Sequence, residues 1–490
     1  MKHAGLFLGM AFGLGLLGTS AEAGSGRKDL KADAIEALKK AATFYRTKVA
    51  THGGYVYYYS EDLQKRWGEG VGTPDQIWTE PPGTPSVGLA YLQAYAATAD
   101  RYFLDAAKEA GMALVYGQLK SGGWKQSIDF NPNGDKVALY RNGKGKGNNY
   151  SSLDDEQSQT CIEFLAKLDR ALEFKDEVIH EAILYALDGL LKAQFANGGF
   201  PQGWDGPAKP YPVLKASYPK EWPRIWPHEP YHTYYTLNDG LPDSLTDTLL
   251  VVIEIYKEER FKEALRRLGD FLILAQMPDP QPAWCQQYNF EMQPVWARKF
   301  EPPSIVGLES EESIRALMKI YRFTGDEKYL APIAKAIPYL KGNRLPDGRM
   351  PRFYELETNK PLYMRRPPGV SGSSSKPGYY TFTYEDTDLP SHYGWKQPTR
   401  IDELEAEYNA LKKGGTASAV PAKIVPDDEL EKQVRKILGD LDDQGRWISV
   451  YDGSRLRGQP NFANGFRYIG NNVFSAHVNV LSRYVASASR

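Results

Sequence analysis

What most constrains the fold of this chain is a repeated pair of amphipathic segments. Residues 156–172 and 176–195 carry apolar side chains at helical spacing, as do 244–257 with 259–276 and 309–323 with 327–341. Short polar turns such as Thr324-Gly325-Asp326 join the members of a pair. After several pairs comes a small-residue turn that ends in an aromatic or apolar residue: Gly122-Gly123-Trp124, Gly198-Gly199-Phe200, Asp347-Gly348-Arg349-Met350 and Gln444-Gly445-Arg446-Trp447, with Gly53-Gly54-Tyr55 as an early candidate. The intervals between these turns vary too widely for an open solenoid but suit helical hairpins arranged in a ring. An all-α fold is therefore expected, an α/α toroid whose long irregular loops form a cleft at one end.

Two segments interrupt the pattern. Residues 203–236 are rich in Pro, Trp, Tyr and Lys, and residues 366–426 contain Ser371-Gly372-Ser373-Ser374-Ser375 and a largely polar stretch from Glu405 to Lys423. Loops this long inside a compact domain are usually functional or disordered. The first reads as a cleft wall, and the second as containing mobile pieces around Gly369–Lys376 and Gly414–Ala422.

At 490 residues the chain can bury a large core, and its formal net charge of −1 leaves no global basic field for nucleic acid or an anionic membrane. Any attraction for an anion has to be local. Residues 1–23 run from Lys2 and His3 through an apolar stretch to Ala21-Glu22-Ala23, the pattern of a secretory leader cut after Ala23. A secreted protein, periplasmic or extracellular and monomeric, is expected. Cys161 and Cys285 are the only cysteines, enough for one bridge or two buried thiols.

Three clusters could carry chemistry. Arg298 lies among prolines and aromatics in Pro294-Val295-Trp296-Ala297-Arg298-Lys299-Phe300-Glu301-Pro302-Pro303, outside any helical period. A buried guanidinium needs a partner, so Arg298 either pairs with a carboxylate such as Glu301 or Glu309 or reaches an anionic ligand. Arg352 and Arg366 flank a turn, Thr358-Asn359-Lys360-Pro361, and planar guanidinium forks suit the carboxylates of an acidic sugar. Tyr354 and Lys360 in the same segment are expected to touch that substrate. Asp154, followed by Asp155 and Glu156, opens a helical run and could serve as its cap. The same three acids also offer oxygens of the kind a hard cation such as calcium requires, and with Asp239 before a later helix the candidate metal ligands are Asp154, Asp239 and Glu156. Asp239, in Thr236-Leu237-Asn238-Asp239-Gly240, could equally be a turn residue.

Taken in order, these motifs resemble the pectate lyases of polysaccharide lyase family ten. The resemblance runs from about Ser152 to Tyr393 through Leu153-Asp154-Asp155-Glu156, Asn197-Gly198-Gly199-Phe200-Pro201-Gln202, Tyr234-Tyr235-Thr236-Leu237-Asn238-Asp239, Pro282-Ala283-Trp284-Cys285-Gln286-Gln287, the Arg298 segment and Arg352-Phe353-Tyr354-Glu355. It implies calcium-assisted β-elimination of de-esterified polygalacturonate, with Arg298 as the base, Asp154 and Asp239 at the metal and substrate site, and Arg352 and Arg366 on substrate carboxylates. Phe200 stands where that family often has Trp, Asp155 where Asn is common, and residues 203–230 are a longer insertion than usual. A catalytic region over 151–400 is expected, with 24–150 and 401–490 extending the toroid. Two other readings remain: a toroidal glycoside hydrolase using Asp154 and Asp239 as acid and base, and a binder of acidic polysaccharide without turnover.

Overall fold

The computed structural model describes residues 19–366, 379–414, 427–458 and 460–487, with side chains from residue 29. Most of the leader read over residues 1–23, and the stretches 369–376 and 415–422 expected to be mobile, lie outside the described residues. Twelve α-helices are present among them: α1 Thr19–Phe44, α2 Thr84–Thr98, α3 Arg101–Gly117, α4 Gln157–Ala171, α5 Glu177–Ala193, α6 Leu241–Tyr256, α7 Glu259–Ala275, α8 Gly307–Thr324, α9 Ala331–Gly342, α10 Ile401–Gly414, α11 Asp428–Gly439 and α12 Asn471–Ser487. The even-numbered helices pack one on the next, α12 on α2, α2 on α4, and so on to α10, while the odd-numbered ones pack on their outside. This is the expected all-α toroid, built as an inner and an outer layer of helices. Among the described residues no helix is long and apolar enough to cross a membrane.

The periodic apolar faces meet in one main core that includes Leu30 near the start and Val485 near the end. The ring is tied at its ends by a five-stranded sheet in which Tyr58–Ser60 pairs antiparallel with Arg467–Gly470, Tyr58 opposite Gly470. A second, four-stranded sheet of Ser304–Val306, Phe353–Glu355, Pro361–Arg365 and Thr381–Thr383 holds a satellite core around Trp296, Phe353, Tyr363 and Trp395.

The turns that follow the outer helices are fastened to helix ends in two ways. An α-helix leaves its last four carbonyls without intrahelical donors. Trp124, Trp284 and Trp447 each donate their indole N–H to such a carbonyl at the end of an outer helix, Leu114 O at 2.8 Å, Leu272 O at 2.8 Å and Ile437 O at 2.9 Å. Gln118, Gln194 and Gln276 follow the ends of α3, α5 and α7, and each side-chain amide donates both to the adjoining turn and to the next outer helix. The acceptors are Gly122 O and Ala182 O, Gly198 O and Ala264 O, and Pro282 O and Pro332 O. Gly198 has φ +90° and a Cβ there would fall inside the carbonyl of Arg267, so only glycine fits. These fastenings fix the loop ends, and the loops between them carry the chemistry. Cys161 and Cys285 are both free and buried.

Candidate active site

Two short acidic turns, Asp154–Glu156 and Asn238–Gly240, introduce the inner helices α4 and α6 and pack against each other. Both leave the helical region: Asp155 has φ 46° and Glu156 φ 63°, while Asp239 has φ 53° and Gly240 φ 71°. Left-handed backbone at a non-glycine residue costs of the order of 1–3 kcal/mol and persists only where the surroundings impose it. Neither helix has a side-chain cap at this end, so Asp154 is not an N-cap; its Oδ1 accepts from Gln202 Nε2 at 2.8 Å. Asp239 Oδ2 accepts from Asn238 Nδ2 at 2.5 Å.

Facing these acids is Arg298. The backbone turns tightly there, Glu301 N donating to Arg298 O at 2.8 Å, and this lets the Glu301 carboxylate return to its own neighbour. Arg298 donates to it through the backbone N–H at 3.0 Å, Nε at 2.8 Å and Nη2 at 2.5 Å. Glu301 is fully buried, whereas the Arg298 side chain stays 42% exposed. Burial opposes the charge on Glu301, but the Arg298 contacts, helped by Arg352, win and hold its carboxyl down to about 2. Arg298 in turn loses some basicity to burial and gains more from Glu301 and Asp239, ending above the usual arginine range.

The Asp239 carboxyl is pushed well up, first by burial and then by Asp154, Glu301 and Asp155, with Arg298 acting against them. Asp154, Asp239 and Arg298 thus lie near enough to feel one another's charge. Arg352, expected to meet a substrate carboxylate, is enclosed behind them, its Nη2 2.7 Å from Glu309 Oε1 and only 7% of its side chain exposed. Tyr393 links the two arginine pairs, its hydroxyl donating to Glu301 Oε1 at 2.8 Å and its ring lying 5.9 Å from the Arg298 guanidinium and 5.3 Å from that of Arg352.

Arg366 stands to one side, its Nε donating to Tyr380 Oη at 3.1 Å and its Nη2 lying 3.3 Å from His392 Nδ1. Phe300, 5.3 Å from the Arg298 guanidinium, touches Tyr380, His392 and Tyr393, so that rings stand between Arg298 and Arg366. Arg365 turns the other way, to Glu385 at 3.1 Å.

Two expected substrate contacts are placed elsewhere. Tyr354 is buried in the main core with its hydroxyl donating to Asn343 O at 2.8 Å, so it has no face left for a ligand. Lys360 is exposed and lies 5.3 Å from the ring of Tyr384, outside the acid and arginine cluster. Glu156 opens onto a cavity of about 200 Å³ between α4, α6 and α8, shared with Glu163, Asp239, Asp243, Asp247 and Glu312.

The 203–236 segment, expected to be a cleft wall, packs beside the Arg298 stretch. Trp226 Nε1 donates to Ala297 O at 2.9 Å and Trp296 Nε1 to Pro223 O at 2.7 Å, which pins the insertion to the strand of chain that carries Arg298. Trp222 packs edge-on against Trp296 and Phe382 and under the Arg224 guanidinium, itself 2.9 Å from Glu355.

Residues 118–319 match the family model described as pectic acid lyase. That stretch is therefore similar to the pectic acid lyases. The matched stretch holds Asp154, Asp239, Arg298, Glu301 and Glu309, and Arg352 and Arg366 lie beyond it. This polysaccharide lyase is also similar to a solved variant of a family 10 polysaccharide lyase from Cellvibrio cellulosa in complex with trigalacturonic acid, at 18% identity and a TM-score of 0.45, over 68% of this chain and 98% of that one. A cellobiose 2-epimerase from Spirochaeta thermophila is similar over 97% of this chain and 100% of its own, at 14% identity and a TM-score of 0.45. Among curated proteins none matches.

Proposed function

We propose that the lyase is exported, acts as a monomer, and cleaves de-esterified polygalacturonate by calcium-assisted β-elimination, with Arg298 taking the proton from C5. The observation that carries this reading is the meeting of two acidic turns with an arginine that a buried glutamate fixes in place. Removal of the C5 proton places charge beside an existing carboxylate; the C5 electron pair then forms the C4=C5 double bond and the C4–O bond breaks, releasing the leaving chain. Positive groups fixed around that carboxylate stabilise the developing charge, which is usually the largest single contribution.

The donor set fits calcium. Asp154 and Asp239 are hard oxygen ligands on adjoining turns, each engaged by a side-chain amide through one oxygen, and burial, with Asp154, Glu301 and Asp155 nearby, disfavours charge on Asp239 in a way that a bound cation would offset. When bound there, calcium would act as a Lewis acid on a substrate carboxylate. Arg298, oriented by Glu301, receives the proton, while Arg366 meets a neighbouring uronate and Arg352 supports the site electrostatically from behind. The Glu301 grip raises the proton affinity of Arg298, so the neutral base is scarce at neutral pH and its supply increases with pH.

Polygalacturonate incubated with the purified protein, with and without a calcium chelator, decides the matter. The expected product is an ultraviolet-absorbing unsaturated end that disappears with the chelator. New reducing ends without that absorbance would instead mark a hydrolase, and binding without either product a non-catalytic binder.

A further inference from the structure

The two acidic turns are built alike but held differently. In the second, the residue after the strained Asp239 is Gly240, which takes φ 71° freely; in the first, the corresponding residue is Glu156 at φ 63°, so two consecutive side-chain-bearing residues sit in the left-handed region. The first turn therefore carries more strain and needs an external hold. Arg457 supplies one. Its Nη2 lies 3.4 Å from Asp155 O and 3.3 Å from Asp155 Oδ1, and its Nε lies 3.5 Å from Glu80 Oε1. Glu80 is fully buried and fastened to α4 by Gln157 Nε2 at 3.2 Å. The side-chain oxygens of Glu69, Glu80 and Asp155 gather within 4.8 Å, an arrangement that would suit a cation, and the guanidinium is the cation beside them.

Arg457 reaches this place because the ring closes. It sits between the strands Ile448–Val450 and Arg467–Gly470 of the sheet that joins the chain's ends. Its neighbour Leu456 packs against the main core, and Gly458, at φ +70°, lies so close to Gly68 O that a Cβ would stand 2.5 Å from it. Phe462 in the same loop meets Trp67, Tyr58 and Phe466. The loop is thereby anchored over residues 58–68 with Arg457 directed at the turn.

We infer that Arg457 is a positioning residue: holding Asp155 by both its carbonyl and its carboxylate, it keeps the 154–156 turn left-handed and so sets Asp154 beside the Asp239 turn. The consequence for calcium rests on the function proposed above, in which Asp154 is a ligand. The consequence for the turn does not.

Amide hydrogen exchange on the full chain tests the hold directly, since a lost charge-assisted hydrogen bond is worth roughly tenfold in a local opening equilibrium. Arg457→Ala is expected to speed exchange across 153–158 about tenfold and leave 237–241 unchanged. In the polygalacturonate assay it is expected to raise the calcium concentration for half-maximal rate about tenfold, with kcat at saturating calcium within about threefold of wild type; Arg457→Lys should recover part of both effects. Unchanged exchange at 153–158, or equal loosening of both turns, overturns the inference. So does a fall in kcat that calcium does not restore. If Arg457→Ala does not fold, Arg457→Gln, which keeps a donor for Asp155 O, is measured in the same way. A wild-type chain with no lyase activity rejects the proposed function alone, and the exchange result still decides the role of Arg457.

Discussion

Two arginine–glutamate pairs lie side by side in this lyase and are held differently. Both glutamates, Glu301 and Glu309, are fully buried, but the Arg298 side chain is 42% exposed while that of Arg352 is 7% exposed. Glu301 engages Arg298 three times, including its backbone N–H, whereas a single close contact joins Glu309 to Arg352. A guanidinium gripped from one side with another side open is suited to meet a ligand in a fixed orientation. One enclosed with its counter-ion serves mainly to neutralise neighbouring acids, and Glu309 and Glu312, both raised by burial first, are the acids Arg352 moderates. On the proposed function, the same residue types would divide into a tool and a scaffold according to exposure.

The largest effect should come from breaking the scaffold. Removing one member of a buried ion pair leaves an uncompensated charge, which costs roughly 3–5 kcal/mol. Arg352→Ala is therefore expected to lose stability on that scale in urea unfolding at pH 7. Arg352→Ala with Glu309→Gln should regain much of the loss, because the stranded charge goes too; additive losses would show that the two side chains do not act as a pair. Breaking the tool should look different. Arg298→Lys keeps a charge but not a planar fork, so kcat on polygalacturonate is expected to fall at least about a hundredfold, the scale of a lost acid–base group, with a much smaller change in stability. A raised KM with kcat kept would make Arg298 a carboxylate clamp and not the base.

What the sequence disclosed follows from range. The helical hairpins were legible because a 3.6-residue period is local, and so were the glycine turns, whose residues answer to local backbone geometry. That Arg298 needs a partner was also legible; the choice of Glu301 over Glu309 depended on a turn closing across three residues. Asp154 resembled a helix cap because capping statistics presume an ordinary helix start, whereas Asp155 and Glu156 are left-handed here. Tyr354 was placed on substrate by nearness to Arg352 in sequence, yet the fold turns its side chain into the core beneath α9. Arg457 and Glu80 could not be read at all, since only ring closure brings them to Asp155. The acid run Glu309-Ser310-Glu311-Glu312 has the composition of a solvated face, yet all four residues are buried.

The Arg298–Glu301 pair should also show itself in pH, on both sides of neutrality. Glu301 is held down to about 2, against an ordinary glutamate value near 4.5 that it recovers on unfolding. A depressed carboxyl stabilises the fold above the unfolded value and loses that contribution as pH falls through the folded one, so this share of stability should decline between about 4.5 and about 2. Glu301→Gln should flatten that limb of the stability profile; an unchanged limb would place the acid sensitivity elsewhere. On the alkaline side the raised proton affinity of Arg298 predicts a turnover that climbs up to about tenfold per pH unit above neutrality without levelling before the protein unfolds. A plateau near neutral pH would assign the proton to another group.

The smallest expected effect separates two adjacent arginines, and it sharpens the division between open and enclosed guanidinium groups at the edge of the site. Arg366 rests on neutral partners, Tyr380 and His392, which touch Phe300 on the Arg298 side. Arg365 is already spent on Glu385, an exposed pair of the kind that contributes at most about 1 kcal/mol. An outlying uronate carboxylate held by Arg366 would add binding and little to the chemical step, so Arg366→Ala should raise KM for oligogalacturonates about fivefold with kcat nearly unchanged. Arg365→Ala should alter neither by more than about twofold. A reversed order would mean that the strand Pro361–Arg365 presents its other face to substrate, and the binding cleft would then run past Glu385 instead of past His392.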